Sequence, residues 1–291
     1  MRVVAVGGGH GTAVSLRALR SLTNDVTGVV SVADDGGSTG RLRAALGVAA
    51  VGDLRKCLGA LADPDNPLTA SFEHRFAVGE LAGHAVGNLL LVGLIDATGD
   101  LEESVRAVAQ VMGVTGQIVP ASVRGVELVA ATEDGPARGQ SEVMRSSSIR
   151  RVGLEPATVA APIAAVEAIE RADLVLIGPG SLFTSVLAAC VVPGILQALA
   201  GTAATRAYVA NLHAQVPETD GFSLADHVDA LLAHGVTPDV VLVDEASEFA
   251  GQSSAVPAIV KGLSTGRGLT HDVQKLARAA ADLAATPRRV E

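Results

Sequence analysis

The sequence predicts an α/β fold, a mostly parallel sheet with helices on both faces and a small antiparallel insertion. Three observations predict it. Short apolar runs alternate with helical patterns at both ends of the chain. Those runs are rich in Val, Leu and Ile with little polar alternation, as strands buried on both faces are. Several of them empty into loops of glycine and hydroxyl residues that open a helix, which is where open α/β sheets hold their ligands.

The first strand, over 2–6, is Val3-Val4-Ala5-Val6, and it runs into Gly7-Gly8-Gly9-His10-Gly11-Thr12 and a helix over 12–22 carrying Leu16 and Leu19 on its apolar face. Glycines let backbone N–H groups approach an anion, and a helix N-terminus adds about half a positive charge. The loop therefore reads as a phosphate cradle. It is not a standard one: Thr12 occupies the third glycine position of G-x-G-x-x-G, and no lysine follows a glycine as G-x-x-x-x-G-K-[ST] demands.

A second strand over 26–33 leads into Ser31-Val32-Ala33-Asp34-Asp35-Gly36-Gly37-Ser38-Thr39-Gly40-Arg41. Two carboxylates, three glycines, hydroxyls and an arginine in one loop are the ingredients of a site. Gly36 to Gly40 also satisfies the G-x-S-x-G pattern of a nucleophile elbow, with Asp173, Asp220, His213, His227 and His271 formally available as partners. Against that reading, Asp34 and Asp35 raise the cost of forming an alkoxide or oxyanion at Ser38.

Helices follow over 53–62, 84–97 and 101–112. Gly83-His84-Ala85-Val86-Gly87-Asn88 opens the second, and Asn88 in an apolar helix must find partners, since an unpaired buried amide costs about 1–3 kcal/mol. His84 reads as readily as a structural histidine as a ligand contact. Between 116 and 152, short alternating runs such as Val126-Glu127-Leu128-Val129-Ala130 predict hairpins inserted into a single domain that spans 1–291. Strands over 173–177, 206–210 and 239–243 then alternate with helices over 164–171, 184–190, 223–234 and 272–284, and the tail after Thr286 reads as loose. Two of these strands end in further site-like loops: Gly178-Pro179-Gly180-Ser181-Leu182-Phe183-Thr184-Ser185, and Asn211 to Gly221 with Asp220.

Composition bounds the function. The 291 residues are 48% hydrophobic with no Trp and one Tyr, so the core packs through small aliphatic side chains. A net charge of -9 with few aromatics disfavours nonspecific nucleic-acid binding. It leaves room for a small anionic ligand held by backbone dipoles and by arginines such as Arg41, Arg43 and Arg55. Cys57 and Cys190 read as buried thiols, and the seven histidines form no H-E-x-x-H or comparable pattern, so no metal is assigned. The N-terminus lacks a secretory apolar core, and the apolar run Ala85 to Ile95 falls short of the roughly 18 residues of a membrane span. The expected location is the cytoplasm, with no membrane partner.

Ordered motifs now converge on one group: GGGHG at 7–11, VADDGGSTGRLR at 32–43, GDLRKCL at 52–58, FEHRF at 72–76, GHAVGNLLL at 83–91, IGPGSLFTSVL at 177–187, PETDG at 217–221 and DH at 226–227. From about residue 3 to 284 the chain resembles the YvcK-like gluconeogenesis factors. These lie within a larger CofD-like group whose best-known members are 2-phospho-L-lactate transferases. The resemblance implies a Rossmann-like core and a cytoplasmic protein that binds a UDP-sugar, especially UDP-N-acetylglucosamine. It links that protein to central carbon metabolism, cell-wall synthesis and cell shape, and implies no catalysed reaction, no cofactor and no catalytic residue. Carried over by motif, the ligand-binding set is Gly8, Gly9, His10, Gly11, Asp34, Asp35, Gly37, Ser38, Arg41, Asn88, Gly178, Gly180, Ser181, Asn211 and Asp220. Protein partners in cell-wall regulation and a homo-oligomer are further expectations. The alternative is a phosphoryl-type transferase like the CofD branch, and Mg²⁺ belongs to that alternative alone. His10 stands where the family has threonine in GGGTG, His213-Ala214 where it has Met-Thr, and Thr270 where relatives often carry arginine.

Overall fold

The computed structural model describes residues 1–266, 268 and 270–285, so the tail after Thr286 lies outside the described residues. In chain order the elements begin with β1 (Val3–Gly7), α1 (Gly9–Arg20), β2 (Val26–Val30), α2 (Gly37–Leu46), α3 (Gly52–Leu61), α4 (Pro67–Phe72), α5 (Val86–Thr98), α6 (Leu101–Val111) and β3 (Gln117–Pro120). They continue with β4 (Glu127–Thr132), β5 (Gly135–Arg138), α7 (Gln140–Val143), β6 (Ile149–Glu155), α8 (Ile163–Glu170) and β7 (Leu174–Ile177). A π-helical segment, Leu182–Leu187, runs into α9 (Ala188–Cys190), followed by α10 (Pro193–Gly201), β8 (Thr205–Val209), α11 (Leu224–Ala233), β9 (Val240–Asp244), β10 (Ala258–Lys261) and α12 (Val273–Ala285).

Seven strands form one sheet in the order β10-β9-β8-β7-β1-β2-β3, with every pair parallel. Strands β1, β2, β7 and β9 are buried along their whole length, as a sheet covered on both faces requires, and each fully buried Val or Leu contributes about 1.5–3 kcal/mol. Helix α1 packs against α3 and α12 in one layer, and α10 packs against α8 and α9 in another. At Gly28 of β2 an added Cβ would sit 2.9–3.1 Å from side-chain atoms of Ile118 and Leu16, so glycine lets α1 lie close on the sheet.

The insertion is a second, antiparallel sheet in the order β5-β4-β6, with α7 between β5 and β6. Within the stretch 116–152, Gln117–Pro120 does not join those hairpins; it pairs in parallel with β2 at the edge of the main sheet. An edge strand tolerates the proline, which has no N–H to donate. Cys57 and Cys190 are buried free thiols. No single helix among the described residues is long and apolar enough to cross a membrane.

Chain order around the sheet reverses at β1: β2 and β3 lie on one side of it, and β7 to β10 on the other. That switch point opens a crevice beyond the carboxyl ends of β1 and β7.

Candidate functional site

Two loops meet at the switch point. Gly8, extended, occupies the N-cap position of α1 without a side-chain cap, so the first N–H groups of α1 are free to face a ligand. From β7, the chain passes Gly178-Pro179-Gly180 into the π-helical segment. The loops touch backbone to backbone: a Cβ on Gly11 would fall 2.1 Å from the carbonyl oxygen of Pro179. Helix α1 is tied to the second loop by Ser15, whose hydroxyl donates to the Gly178 carbonyl at 2.8 Å.

Asn211, at the carboxyl end of β8, fixes the loop from its other side. Its Oδ1 accepts from the Gly180 N–H at 3.0 Å and its Nδ2 donates to the Gly180 carbonyl at 2.9 Å. Glu218 is buried beneath: its carboxylate accepts from the N–H groups of Phe183 at 2.7 Å and Thr184 at 3.2 Å, and from the Thr184 hydroxyl at 3.2 Å. Burial pushes the Glu218 carboxyl above the ordinary carboxylate range, and those donors oppose the shift.

A cavity of about 330 Å³ opens over this junction, lined by Gly8, Gly9, His10, Gly11, Asp34, Asp53, Lys56, Gly180, Ser181 and neighbours from α7 and the π-helical segment. A second, of about 300 Å³, shares His10, Gly11 and Gly180 with it and extends past Asn211 to Thr270 and His271. A third, of about 450 Å³, shares Asp34 and Lys56 with the first and runs along the start of α2, past Gly37, Ser38, Arg41 and Asn88. The three form one trough along the carboxyl edge of the sheet. A larger cavity of about 550 Å³ lies by Arg2, Asp25 and Gln117 at the amino ends of β1 to β3, away from every glycine loop.

Asp34 stands between the first and third cavities, its Oδ1 accepting from the Gly36 N–H at 2.8 Å. Burial raises its carboxyl above the usual range and the nearby Asp53 adds to the rise, while the Gly36 bond works against it. Asp53, in the first turn of α3, is paired with Lys56 at 2.9 Å. Burial and Lys56 lower the pKa of His10 at the cavity wall, which keeps the imidazole neutral near pH 7.

Ser38 lies in a hydrogen-bonded chain whose proton positions follow from its far end. The Arg41 Nε–H can only donate, and it points to His84 Nε2 at 3.3 Å, so Nε2 is the unprotonated nitrogen. His84 Nδ1 therefore carries the hydrogen and donates to Ser38 Oγ at 2.9 Å. Asn88 Nδ2 donates to the same oxygen at 3.3 Å. Ser38 receives two hydrogen bonds and keeps its own proton for a ligand, and His84 has no lone pair facing Ser38 with which to remove it. Burial, with the charges of Arg41 and Arg75, depresses the His84 pKa, consistent with a neutral ring. The arrangement is a hydroxyl donor, and it lacks the base of a nucleophile elbow.

Of the residues singled out from the sequence, Gly8, Gly9, His10, Gly11, Gly180, Ser181 and Asp34 line the first cavity, and Gly37, Ser38, Arg41 and Asn88 line the third with Asp34. Asn211 lines the second while bracing Gly180. Three lie elsewhere. Gly178 sits behind the loop as the acceptor for Ser15. Asp35 turns away to accept from the Ser141 N–H at 2.7 Å, tying the loop after β2 to α7. Asp220 is exposed and lines none of the three cavities. Residues not singled out as ligand contacts but present in the walls are Asp53, Lys56, Arg75, Gln140, Thr184, Ser185 and Gln215. The first two belong to GDLRKCL, so the motif carried the signal.

Comparison with known proteins agrees with this fold. The family profile "2-phospho-L-lactate transferase CofD" matches residues 3–284. A putative gluconeogenesis factor of Nostoc is 43% identical over 255 residues, covering 86% of this chain and 56% of that protein. One of Deinococcus radiodurans is 44% identical over 252 residues, covering 84% and 54%. The gluconeogenesis factor of Halalkalibacterium halodurans is 41% identical over 249 residues, covering 84% and 77%. The chain thus spans a little over half the length of the first two relatives. A crystal structure of a UPF0052-family protein from Bacillus halodurans superposes with a TM-score of 0.89 at 35% identity, covering 96% of this chain and 98% of that one. With a family profile over nearly its whole length and relatives of this closeness, the chain belongs to the CofD family, among its gluconeogenesis factors.

Proposed function

We propose that the first and second cavities of the trough bind a nucleotide sugar, UDP-N-acetylglucosamine, and that the domain serves as a cytoplasmic ligand-responsive regulator of carbon metabolism and cell-wall synthesis. One observation carries this reading. Two loops that open helices meet at the switch point so closely that Gly11 has no room for a Cβ, and the N-terminus of α1, which has no side-chain cap, borders the first cavity as a seat for a diphosphate. The second cavity, which shares His10, Gly11 and Gly180 with the first, supplies the length that the rest of the nucleotide sugar needs. Asp34 lies where it can accept from sugar or ribose hydroxyls.

A regulatory role fits the proton arrangement at Ser38, which supplies a donor and withholds a base. A transferase reading is favoured by one observation, the pair of carboxylates Asp34 and Asp53 in the same wall. As a cation site they fit poorly: Asp53 is already neutralised by Lys56, and among the described residues no group of three or more His, Cys, Asp or Glu is placed to hold a metal. No step is therefore routed through Mg²⁺.

Isothermal titration with UDP-N-acetylglucosamine, with and without EDTA, tests both readings. Binding that survives chelation, is lost in Gly9→Asp and weakens only modestly in Asp34→Asn is the expected result. No binding of any UDP-sugar by the folded wild type overturns the proposal. Release of UMP or GMP from nucleoside-diphosphate-activated substrates with Mg²⁺ establishes the transferase instead.

A further inference from the structure

The third cavity has a chemistry of its own. Arg41, Arg55, Lys56 and Arg75 line it, against Asp34 as the one carboxylate in the wall. Two of these cations are already matched, Lys56 with Asp53 and Arg55 with Glu73. The other two are not: Arg41 donates to His84 and to the Ala82 carbonyl at 2.9 Å, Arg75 to the Gly83 carbonyl at 2.8 Å, and neither is paired with a carboxylate among the described residues. In a chain of net charge -9, two uncompensated guanidinium groups facing one cavity, beside the N-terminus of the ten-residue helix α2, make a seat for a dianion.

Two buried polar atoms in the same wall also lack partners. Arg55 is 2% exposed with its Nε unpaired, and Asn88 is 1% exposed with its Oδ1 unpaired. Leaving such groups unsatisfied costs about 1–3 kcal/mol each, so their persistence points to a ligand. The free Oδ1 of Asn88 accepts and the Ser38 hydroxyl donates, a pair that suits a hydroxyl group rather than a bare phosphate.

We propose that this cavity is a second subsite, separate from the nucleotide-sugar seat, that takes a small phosphomonoester bearing hydroxyl groups, a phosphorylated polyol or sugar. Arg41 and Arg75 hold the phosphate, and Ser38 with Asn88 reads an adjacent hydroxyl. Through Asp34 and Lys56, which face both cavities, occupancy of one subsite alters the electrostatic surroundings of the other.

Titration of glycerol 3-phosphate and inorganic phosphate into the folded protein tests this, with glycerol as the uncharged control. Glycerol 3-phosphate binding more tightly than phosphate, no binding of glycerol, and affinity about tenfold weaker in each of Arg41→Gln and Arg75→Gln are expected. Both arginines are exposed, and an unchanged thermal midpoint in the variants shows that the loss is one of binding. The titration is repeated at saturating UDP-N-acetylglucosamine. Persistence of glycerol 3-phosphate binding supports two subsites, and its displacement overturns the proposal by making the cavity part of the nucleotide-sugar seat. Failure of both phosphates to bind the wild type, or wild-type affinity in both variants, also overturns it. If UDP-N-acetylglucosamine fails to bind while glycerol 3-phosphate binds, only the reading of the first cavity falls.

Discussion

Replacing Asn211 with alanine separates two roles that an asparagine in a binding crevice can have. The side chain spends both ends of its amide on Gly180, accepting from its N–H at 3.0 Å and donating to its carbonyl at 2.9 Å, so it acts as a brace on the loop rather than as a ligand contact. An ordinary hydrogen bond contributes about 0.5–1.5 kcal/mol net, and a stranded buried partner costs up to about 3. Gly180 lines the cavity, where water can reach it, which places the two bonds together near 2 kcal/mol. For a domain of this size that corresponds to a drop of about 3 °C in the thermal midpoint, measured by calorimetry. Ligand affinity falls as well, by about tenfold, or about 1.4 kcal/mol, because the released loop must be ordered again on binding. Asn211→Asp keeps the shape but sets a carboxylate oxygen against the Gly180 carbonyl, and it should destabilise at least as much as alanine. A thermal midpoint within about 1 °C of wild type, accompanied by lost binding, refutes the brace and makes Asn211 a direct ligand contact.

Gly11→Ala drives a methyl group into the Pro179 carbonyl, and the forced separation of the two loops costs about 1–3 kcal/mol; a denaturant midpoint equal to wild type counts against the close approach. Glu218 has its carboxyl raised by burial from an ordinary value of 4.5, so the folded state binds more protons than the unfolded one, and stability falls as pH rises from about 4.5 through the folded pKa. Glu218→Gln retains an acceptor for the Phe183 and Thr184 N–H groups and should flatten that fall in urea melts taken between pH 4 and 8. An unchanged slope shows that another group is responsible. Ser38 should remain unlabelled by a fluorophosphonate probe, because His84 presents a hydrogen to it rather than a lone pair; labelling refutes that tautomer.

The strands most readable in the sequence are the ones buried on both faces. Val3–Gly7, Val26–Val30, Leu174–Ile177 and Val240–Asp244 have burial along every residue, so each is dominated by apolar β-branched and aliphatic side chains, with only Thr27 and Gly28 interrupting β2. The edge strands are different. Ala258–Lys261 is four residues long and largely exposed, so it lacks the buried pattern, while Gln117–Pro120, though buried from Ile118 on, is only four residues long and ends in proline. Helix α2 escaped for another reason: Gly37-Ser38-Thr39-Gly40 has low intrinsic helix propensity, and a short-range reading makes it a turn. Its helical start follows from tertiary contacts that place Ser38 against His84 and Asn88.

Glycine loops announce themselves because glycine has few other uses at the end of a strand. The side chains that complete the walls do not. Asp53 and Lys56 sit on α3 with the spacing of any surface ion pair, and only the packing of α3 on α1 brings them to the cavity. Within PETDG the sequence offers two acids and no means of ranking them: Glu218 turns inward to hold the π-helical segment, while Asp220 faces solvent. Asp34 and Asp35 pose the same problem, adjacent in sequence and turned opposite ways, one into the trough and one to Ser141. The reason lies in their tertiary partners, the Ser141 N–H for Asp35 and the Gly36 N–H at the cavity wall for Asp34, which sequence does not show. A doubled acid therefore serves two masters: Asp34 is free to meet a ligand because Asp35 anchors the loop that carries it.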